Sequence, residues 1–543
     1  MAKLMPESRP VDPYPPLAWS GWGDPTQVPL LPDAVRELLA QGLGVRAPAT
    51  GAASLEAVTL PEPRLAGSVR QALESVIGPE HVLADHESRV RHTRGKSTPD
   101  LLRIRAGEAS DAPDLVLVPG SHEEVIELLA LCSSHRVAVV PFGGGTSVVG
   151  GLAPEADGFS GLAAIDLRRM NALLSVDGVS RLAELEPGLR GPEAEALLGE
   201  HGYTIGHFPQ SFEYATVGGF AAARSSGQAS AGYGRFDELV LGLRLATPVG
   251  TLALGRAPRS AAGPDLRQLV LGSEGAFGVI TGLTVAVRPT PAERVYEGWR
   301  LGSFKEGMAV LRALVQDGPR PTVLRLSDEA ETGLNLARPS EVGGPAAGGV
   351  LAIVGYEGTA QDVATRRSAG TEVLSGAGGQ LEQGAGEHWA RERYRGPYLR
   401  DALLAAGALV ETLETVTFWS SVPRLYEAVS GALRESLSAR GTPPVVLCHV
   451  SHVYPAGASL YFTVACAQTD DPVAQWRAAK ASASDAILDA GGSITHHHGV
   501  GTDHREWYGR EIGELGVGLL QAVKARLDPA GIMNPGVLVS PSD

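Results

Sequence analysis

Pro141-Phe142-Gly143-Gly144-Gly145-Thr146-Ser147 is the stretch on which the reading of this chain turns. Three glycines followed by two hydroxyls offer consecutive unhindered N–H groups and two side-chain donors, the equipment for wrapping a pyrophosphate with no bulky group in the way. The stretch follows directly on an apolar run, Val137 to Val140, which is itself preceded by another, Leu115 to Val118. Between the two runs a Pro-Gly break leads to Ser121 with Glu124 three residues on, a capping box that opens an amphipathic helix. The unit is therefore strand, helix, strand, and its second strand empties into the glycine loop. Two common phosphate-loop patterns do not apply. GxGxxG spacing is absent, Val148-Val149-Gly150-Gly151-Leu152 does not read as a helix facing a phosphate, and no Gly-Lys-Ser/Thr closes the loop.

Further along, two more tracts combine small residues, hydroxyls and turn glycines. Ser211 to Gly219 reads SFEYATVGG and is followed by Arg224-Ser225-Ser226-Gly227; Gly272 to Ile280 reads GSEGAFGVI and precedes an alternating strand, Thr281 to Val287. Leu239 to Thr247, between them, suits a buried strand. Three such loops on strands suggest one extended ligand gripped at several points, and a dinucleotide is long enough to need that. Near the C-terminal end, His496-His497-His498 runs into Gly499-Val500-Gly501. Imidazole is the side chain whose ordinary pKa lies near neutrality, so this tract is suited to handling protons.

Composition narrows the classes. With 543 residues, 43% apolar and 20% charged, the chain exceeds a single core, and two or more domains are expected. A net charge of −15 argues against an electrostatic nucleic-acid binder. The three cysteines, Cys132, Cys448 and Cys466, sit among apolar residues without CxxC spacing and read as core filler of a reducing compartment. The segment MAKLMPESRPVDPYPP lacks a signal-peptide core, and no stretch of 18 apolar residues occurs, so a soluble cytoplasmic protein is expected, with room for peripheral membrane contact.

The organisation follows from texture. An irregular arm with a short helix near Asp33 to Gln41 and a packed pair, Trp19 and Trp22, occupies roughly the first 110 residues; a ligand-binding domain runs to about 290. A second domain with longer helices and Gly-rich inserts, Gly343 to Gly349 and Gly376 to Gly386, runs to about 485. The last segment carries the histidines, a helix from about Ile512 to Ala525, and Asp528-Pro529-Ala530-Gly531-Ile532-Met533-Asn534-Pro535. Within the second domain, PTVLRLSD at 321 to 328 bears Arg325, a helix around Tyr398 to Ala406 bears Arg400 and Asp401, and the strand Ser459 to Val464 bears Tyr461. Taken singly these read as a solvated charge, a surface ion pair and a core aromatic, and His449 and His452 as structural histidines.

Taken together, PFGGGTS at 141 to 147, GHFPQSFEYATVGG at 206 to 219, GSEGAFGVIT at 272 to 281, HHHGVG at 496 to 501 and DPAGIMNPG at 528 to 536 resemble the vanillyl-alcohol-oxidase superfamily with its PCMH-type FAD-binding domain. Within it, the chain is most similar to the alkyldihydroxyacetonephosphate synthase (alkylglycerone-phosphate synthase) family of ether-lipid biosynthesis. The resemblance runs from about residue 110 to the end. It implies an α+β fold, a two-subdomain FAD-binding domain plus an α/β cap with an antiparallel sheet. It implies that FAD is embraced, without a covalent bond, by Pro141 to Ser147, by Gln210-Ser211-Phe212-Glu213-Tyr214-Ala215-Thr216, by Ala223-Arg224-Ser225-Ser226 and by Glu274-Gly275-Ala276-Phe277-Gly278-Val279-Ile280. Tethering to His207 or Tyr214 would depart from the family. The implied catalytic set is Tyr461, His496, His497, His498 and Arg325, with Arg400 binding substrate, no metal, and a homodimer. The implied reaction exchanges the acyl chain of acyl-dihydroxyacetone phosphate for a fatty alcohol, flavin N5 holding the substrate, with no net redox. Guanidinium suits the phosphate dianion, imidazole suits removal of a proton beside a carbonyl, and a phenol can serve a departing carboxylate.

Two other classes remain open at this stage. One is a flavin oxidase or dehydrogenase of a D-2-hydroxy acid or alcohol, whose C-terminal tract reads Gly-Glu-His-Gly and whose cap carries a two-histidine metal site. Here His497 stands at the acidic position; His452 matches the first metal ligand, but the second falls near Tyr461, so a metal near His449 and His452 is left undecided. The other is a non-enzymatic flavin or lipid carrier. Departures from the synthase pattern are Gln210, where Asp is common, the set Cys448, His449, Ser451 and His452 before the cap strand, and no visible peroxisomal address. They leave room for another phosphate ester or an aromatic alcohol as substrate.

Overall fold

The computed structural model describes residues 16–48, 51–335, 337, 342 and 348–540; residues 343–347 of the first Gly-rich insert lie outside it. Leu115–Leu117, Gly161–Asp166 and Val137–Phe142 are short apolar runs buried on both faces, and they pair in parallel, as strands covered on both sides do. Val82–Leu83 extends this sheet in antiparallel fashion. The helix His122–Ser134 makes the crossover. Ser121 Oγ accepts from the Glu124 N–H at 3.1 Å, while the Glu124 carboxylate accepts from the Gly120 N–H at 2.6 Å. The box therefore closes one residue earlier than the sequence spacing implies.

The second sheet is antiparallel, in the order Leu173–Asp177, Leu182–Leu185, Val279–Ala286, Val240–Thr247, Gly250–Leu254. The strand expected to alternate from Thr281 to Val287 begins earlier and is buried on both faces over most of its length. The cause is its position between two apolar cores: Val279 and Ala246 join the core around the first sheet, and Ile280, Leu283 and Val285 join that around Phe220 and Phe236.

A seven-stranded antiparallel sheet follows, in the order Gln380–Glu382, Glu293–Leu301, Val350–Gly358, Val323–Ser327, Val445–Val453, Gly457–Ala467, Ala408–Phe418. The Gly376 to Gly386 stretch, expected as an insert, supplies the end of one helix, the edge strand Gln380–Glu382 and the start of the helix Ala385–Glu392. Side chains alternate between the faces of this sheet. Leu324, Leu326, Cys448, Val450, Leu460, Phe462 and Leu413 meet the helices Phe304–Gln316, Val422–Ser438 and Pro472–Asp489 in the largest core. The alternate residues face the other way, toward the glycine loops.

The arm and the C-terminal segment lock the two halves together. The arm's helix runs Asp33–Glu37 and continues as a wider turn, Leu38–Gly42. Trp22 is buried edge-on against Tyr214, and its backbone N–H donates to Asp401 at 2.5 Å. The C-terminal helix spans Arg505–Leu527 and breaks at Gly513, which has φ of 71°. Asp528 accepts from the N–H groups of Ile532 and Met533, and Asn534 Nδ2 donates to the carbonyls of Gly151 and Glu274, so DPAGIMN staples two glycine loops. All three cysteines are free and buried. No helix among the described residues is long and apolar enough to cross a membrane.

Candidate active site

A cavity of about 370 Å³ opens between the glycine loops and the alternate face of the seven-stranded sheet. One wall is backbone. A Cβ on Gly144 would lie 2.0 Å from the Tyr214 carbonyl oxygen, and one on Gly143 would lie 2.4 Å from Thr216 Oγ1. The first loop can rest on the second only because these positions lack side chains. Of the residues expected around a cofactor, Pro141 to Ser147, Gln210, Ser211, Ala215, Thr216, Ala223, Ser225, Glu274, Gly275, Gly278, Val279 and Ile280 line this cavity. The others lie behind it. Phe212 and Tyr214 underpin the loops against Gly191 and Trp22, and Glu213 sits beside Tyr398. Arg224 turns outward to Asp237, Ser226 bonds His452, and Ala276 and Phe277 pack with Val500 and Val537. Glu274 adopts a left-handed φ of 49°, and its carboxylate accepts the N–H groups of Val500 and Gly501, each at 2.8 Å. Burial pushes that carboxyl up to about 7 despite the two donors.

The opposite wall is built of ionisable side chains on the sheet. Strand register aligns Ser327, His449, Tyr461 and Glu414 in one row across four strands. His449 and Tyr461 stack with ring centroids 4.9 Å apart, as facing cross-strand residues do. Arg325, expected in isolation to be solvated, pairs at 2.5 Å with the fully buried Glu331, which also accepts from Ser327 Oγ and meets His449 Nδ1 at 2.8 Å. Burial would raise the Glu331 carboxyl, but His449 and Arg325 hold it down at about 2. Arg400 is no surface ion pair: its Nη1 donates to the Lys96 carbonyl at 2.6 Å, and it lies 3.2 Å from the buried Asp401.

Glu414 organises the triplet. Its fully buried carboxylate accepts the N–H groups of His496, His497 and His498 and the Thr495 hydroxyl, at 2.6–3.0 Å. Burial opposes its charge, yet the three imidazoles around it hold the carboxyl far below the usual range. His497 and His498 line the cavity with Tyr461; His496 sits behind them, bonded at Nε2 to the Tyr454 hydroxyl. Burial depresses all three imidazoles, His498 to about 3, so near neutral pH they stand neutral and become the cations that hold Glu414 down only in acid, while burial pushes Tyr461 up to about 12, so the phenol keeps its proton. Ring nitrogens of His452, His496 and His497 come within 4.8 Å of one another. Ligand atoms about 2 Å from a tetrahedral zinc are about 3.4 Å apart, a tighter grouping than this bound describes. Sequence reasoning passed over Glu331 and Glu414; the signal was a carboxylate inside an apolar strand, as in Ala408 to Phe418, where an unpaired charge would be untenable.

The family of FAD binding domains matches residues 113–254, and that of FAD linked oxidases, C-terminal domain, matches residues 290–538. The chain is 33% identical over 518 residues to alkyldihydroxyacetonephosphate synthase of Dictyostelium discoideum, covering 90% of this chain and 84% of that one. To the synthase of Trypanosoma brucei brucei it is 32% identical, covering 97% and 93%. The chain belongs to the alkyldihydroxyacetonephosphate synthase family. A solved alkyldihydroxyacetonephosphate synthase superposes with a TM-score of 0.80 at 29% identity, over 96% of this chain and 98% of the other. The protein is thus an FAD-dependent enzyme with a PCMH-type FAD-binding fold in the α+β class. The glycine-lined wall, with the unpartnered Gln210 Nε2 upon it, fits a dinucleotide.

Proposed function

We propose that this enzyme replaces the acyl group of an acyl-dihydroxyacetone phosphate by the alkyl group of a fatty alcohol. The C1–O bond to the acyl group breaks, a fatty carboxylate leaves, and the alcohol oxygen forms the new ether bond to C1 as its proton is released. Nothing is oxidised or reduced overall. When bound, FAD would supply an electron-accepting ring to this chemistry.

The observation that carries the reading is the pairing of neutral imidazoles with a protonated phenol on one cavity wall. A neutral His497 or His498 can accept the C1 proton beside the keto group and return one later. Tyr461 donates to the departing carboxylate. Arg325 and Arg400 bring cationic donors to the wall, where negative charge on carbonyl and carboxylate oxygens needs them. We also infer non-covalent FAD: no cysteine lines the cavity, His207 is bonded to Ser225 between Phe220 and Phe236, and Tyr214 packs on Trp22.

Anaerobic titration of the bound flavin tests the reading. Acyl-dihydroxyacetone phosphate should perturb the flavin spectrum reversibly, with added fatty alcohol restoring it. D-lactate and D-2-hydroxyglutarate should leave it oxidised; rapid, lasting bleaching by either would make the enzyme a dehydrogenase.

A further inference from the structure

We infer that Arg393 is an anion-recognition site of the cavity that takes the phosphate end of the substrate. This rests on the exchange reading above and deepens it.

Three guanidinium groups, those of Arg325, Arg393 and Arg400, reach the same cavity wall. Two already have a carboxylate against them, Arg325 with Glu331 and Arg400 with Asp401, and keep only Nε without a partner. Among the described residues no carboxylate forms an ion pair with Arg393. Its Nε and Nη1 are shielded from water and have no hydrogen-bond partner, a state that costs free energy until a ligand supplies acceptors. Gln228 is anchored beside Arg393 by donating its Nε2 to the Arg393 carbonyl at 3.3 Å.

The side chain is also held in orientation. The guanidinium carbon lies 5.1 Å from the Phe208 ring centroid, 5.0 Å from that of Tyr394 and 5.7 Å from that of Trp389. Rings packed about a planar cation restrict its orientation, and the N–H groups that no neighbour takes are left for a ligand acceptor. A phosphate monoester presents several strong acceptor oxygens, any of which can take a single charge-assisted bond from one of these free N–H groups. The flavin dinucleotide carries phosphates of its own, so the shared chemistry is a phosphate oxygen, and the test must separate cofactor from substrate.

The test uses FAD-loaded wild type, Arg393→Met and Arg393→Lys, with dihydroxyacetone phosphate and dihydroxyacetone as probes, affinity being read from the flavin absorbance change. Wild type should prefer the phosphate-bearing probe. In Arg393→Met its affinity should fall by about tenfold or more, while that for dihydroxyacetone holds, and Arg393→Lys should recover part of the loss. Flavin content should be equal in all three. Undiminished phosphate binding in Arg393→Met overturns the assignment alone, as does an equal loss for both probes. Loss of FAD from the variants would assign the guanidinium to the cofactor and overturn it likewise. A wild type indifferent to the phosphate group would remove the exchange reading itself, and this inference with it.

Discussion

The two walls of the cavity achieve rigidity by opposite means. On the FAD-binding side, Gly143 and Gly144 let one loop lie directly on another, and recognition is left to backbone. On the cap side, an ionisable row on a sheet is kept in place by buried carboxylates, Glu331 under Arg325 and His449, and Glu414 under the histidine triplet. The first wall fails by steric collision, whereas the second fails by loss of charge balance. The difference teaches that cofactor retention and catalysis should separate cleanly under mutation.

The largest expected effect is on the backbone wall. Gly144→Val should abolish FAD retention, seen as a colourless protein, because even its Cβ would meet the Tyr214 carbonyl oxygen at 2.0 Å. Next, Tyr461→Phe and His497→Ala should each lower turnover by about 10²- to 10⁴-fold with the flavin still bound, as measured by product formation. Normal turnover in both would erase the contrast between the walls. Glu414→Gln should then cost about 1–3 kcal/mol in denaturant unfolding, since it removes one of the two acceptor oxygens and the charge at which the backbone N–H groups and the Thr495 hydroxyl are aimed. The variant should stay yellow but turn over slowly.

The smallest effect is a pH slope. His498 and His207 are both held near 3 in the fold by burial, against an ordinary 6.5. The unfolded chain therefore binds more protons below pH 6.5. Their stabilisation is complete above that value and is lost as pH falls toward 3, at about 1.4 kcal/mol per pH unit for each. Glu414, also depressed, adds to the acid loss at lower pH. The buried Glu274 carboxyl, raised to about 7, has the opposite slope between pH 7 and 4.5, so the imidazole part is measured as the difference in unfolding free energy between wild type and His498→Gln at pH 7, 6 and 5; that difference should shrink as pH falls, and an unchanged difference would mean this imidazole is solvated.

How much was legible follows the same division. The glycine loops could be read because the absence of a side chain is a local fact, and their flanking strands fell within a residue or two of Val137–Phe142 and Val240–Thr247. Arg325 and Tyr461 were found by resemblance, since each alone looks structural, whereas the histidine triplet running into Gly499-Val500-Gly501 could be read directly as a proton-handling tract. What stayed hidden was long-range pairing. Glu414 lies in a strand distant from the triplet it binds, and nothing local in Glu411-Thr412-Leu413-Glu414 says which carboxylate turns toward the cavity. Nor could three identical neighbours reveal that His496 turns away toward Tyr454 while His497 and His498 face the cavity. The shifted capping box and the double burial of Val279–Ala286 are likewise decisions of packing.

Reaction stoichiometry tests the central claim most directly. Under nitrogen, with FAD-loaded enzyme, acyl-dihydroxyacetone phosphate and a labelled fatty alcohol, the account predicts one fatty acid released for each ether formed. It also predicts no consumption of an electron acceptor and a flavin that ends oxidised. Product that forms only as oxygen or an added acceptor is consumed, without labelled ether, would contradict it.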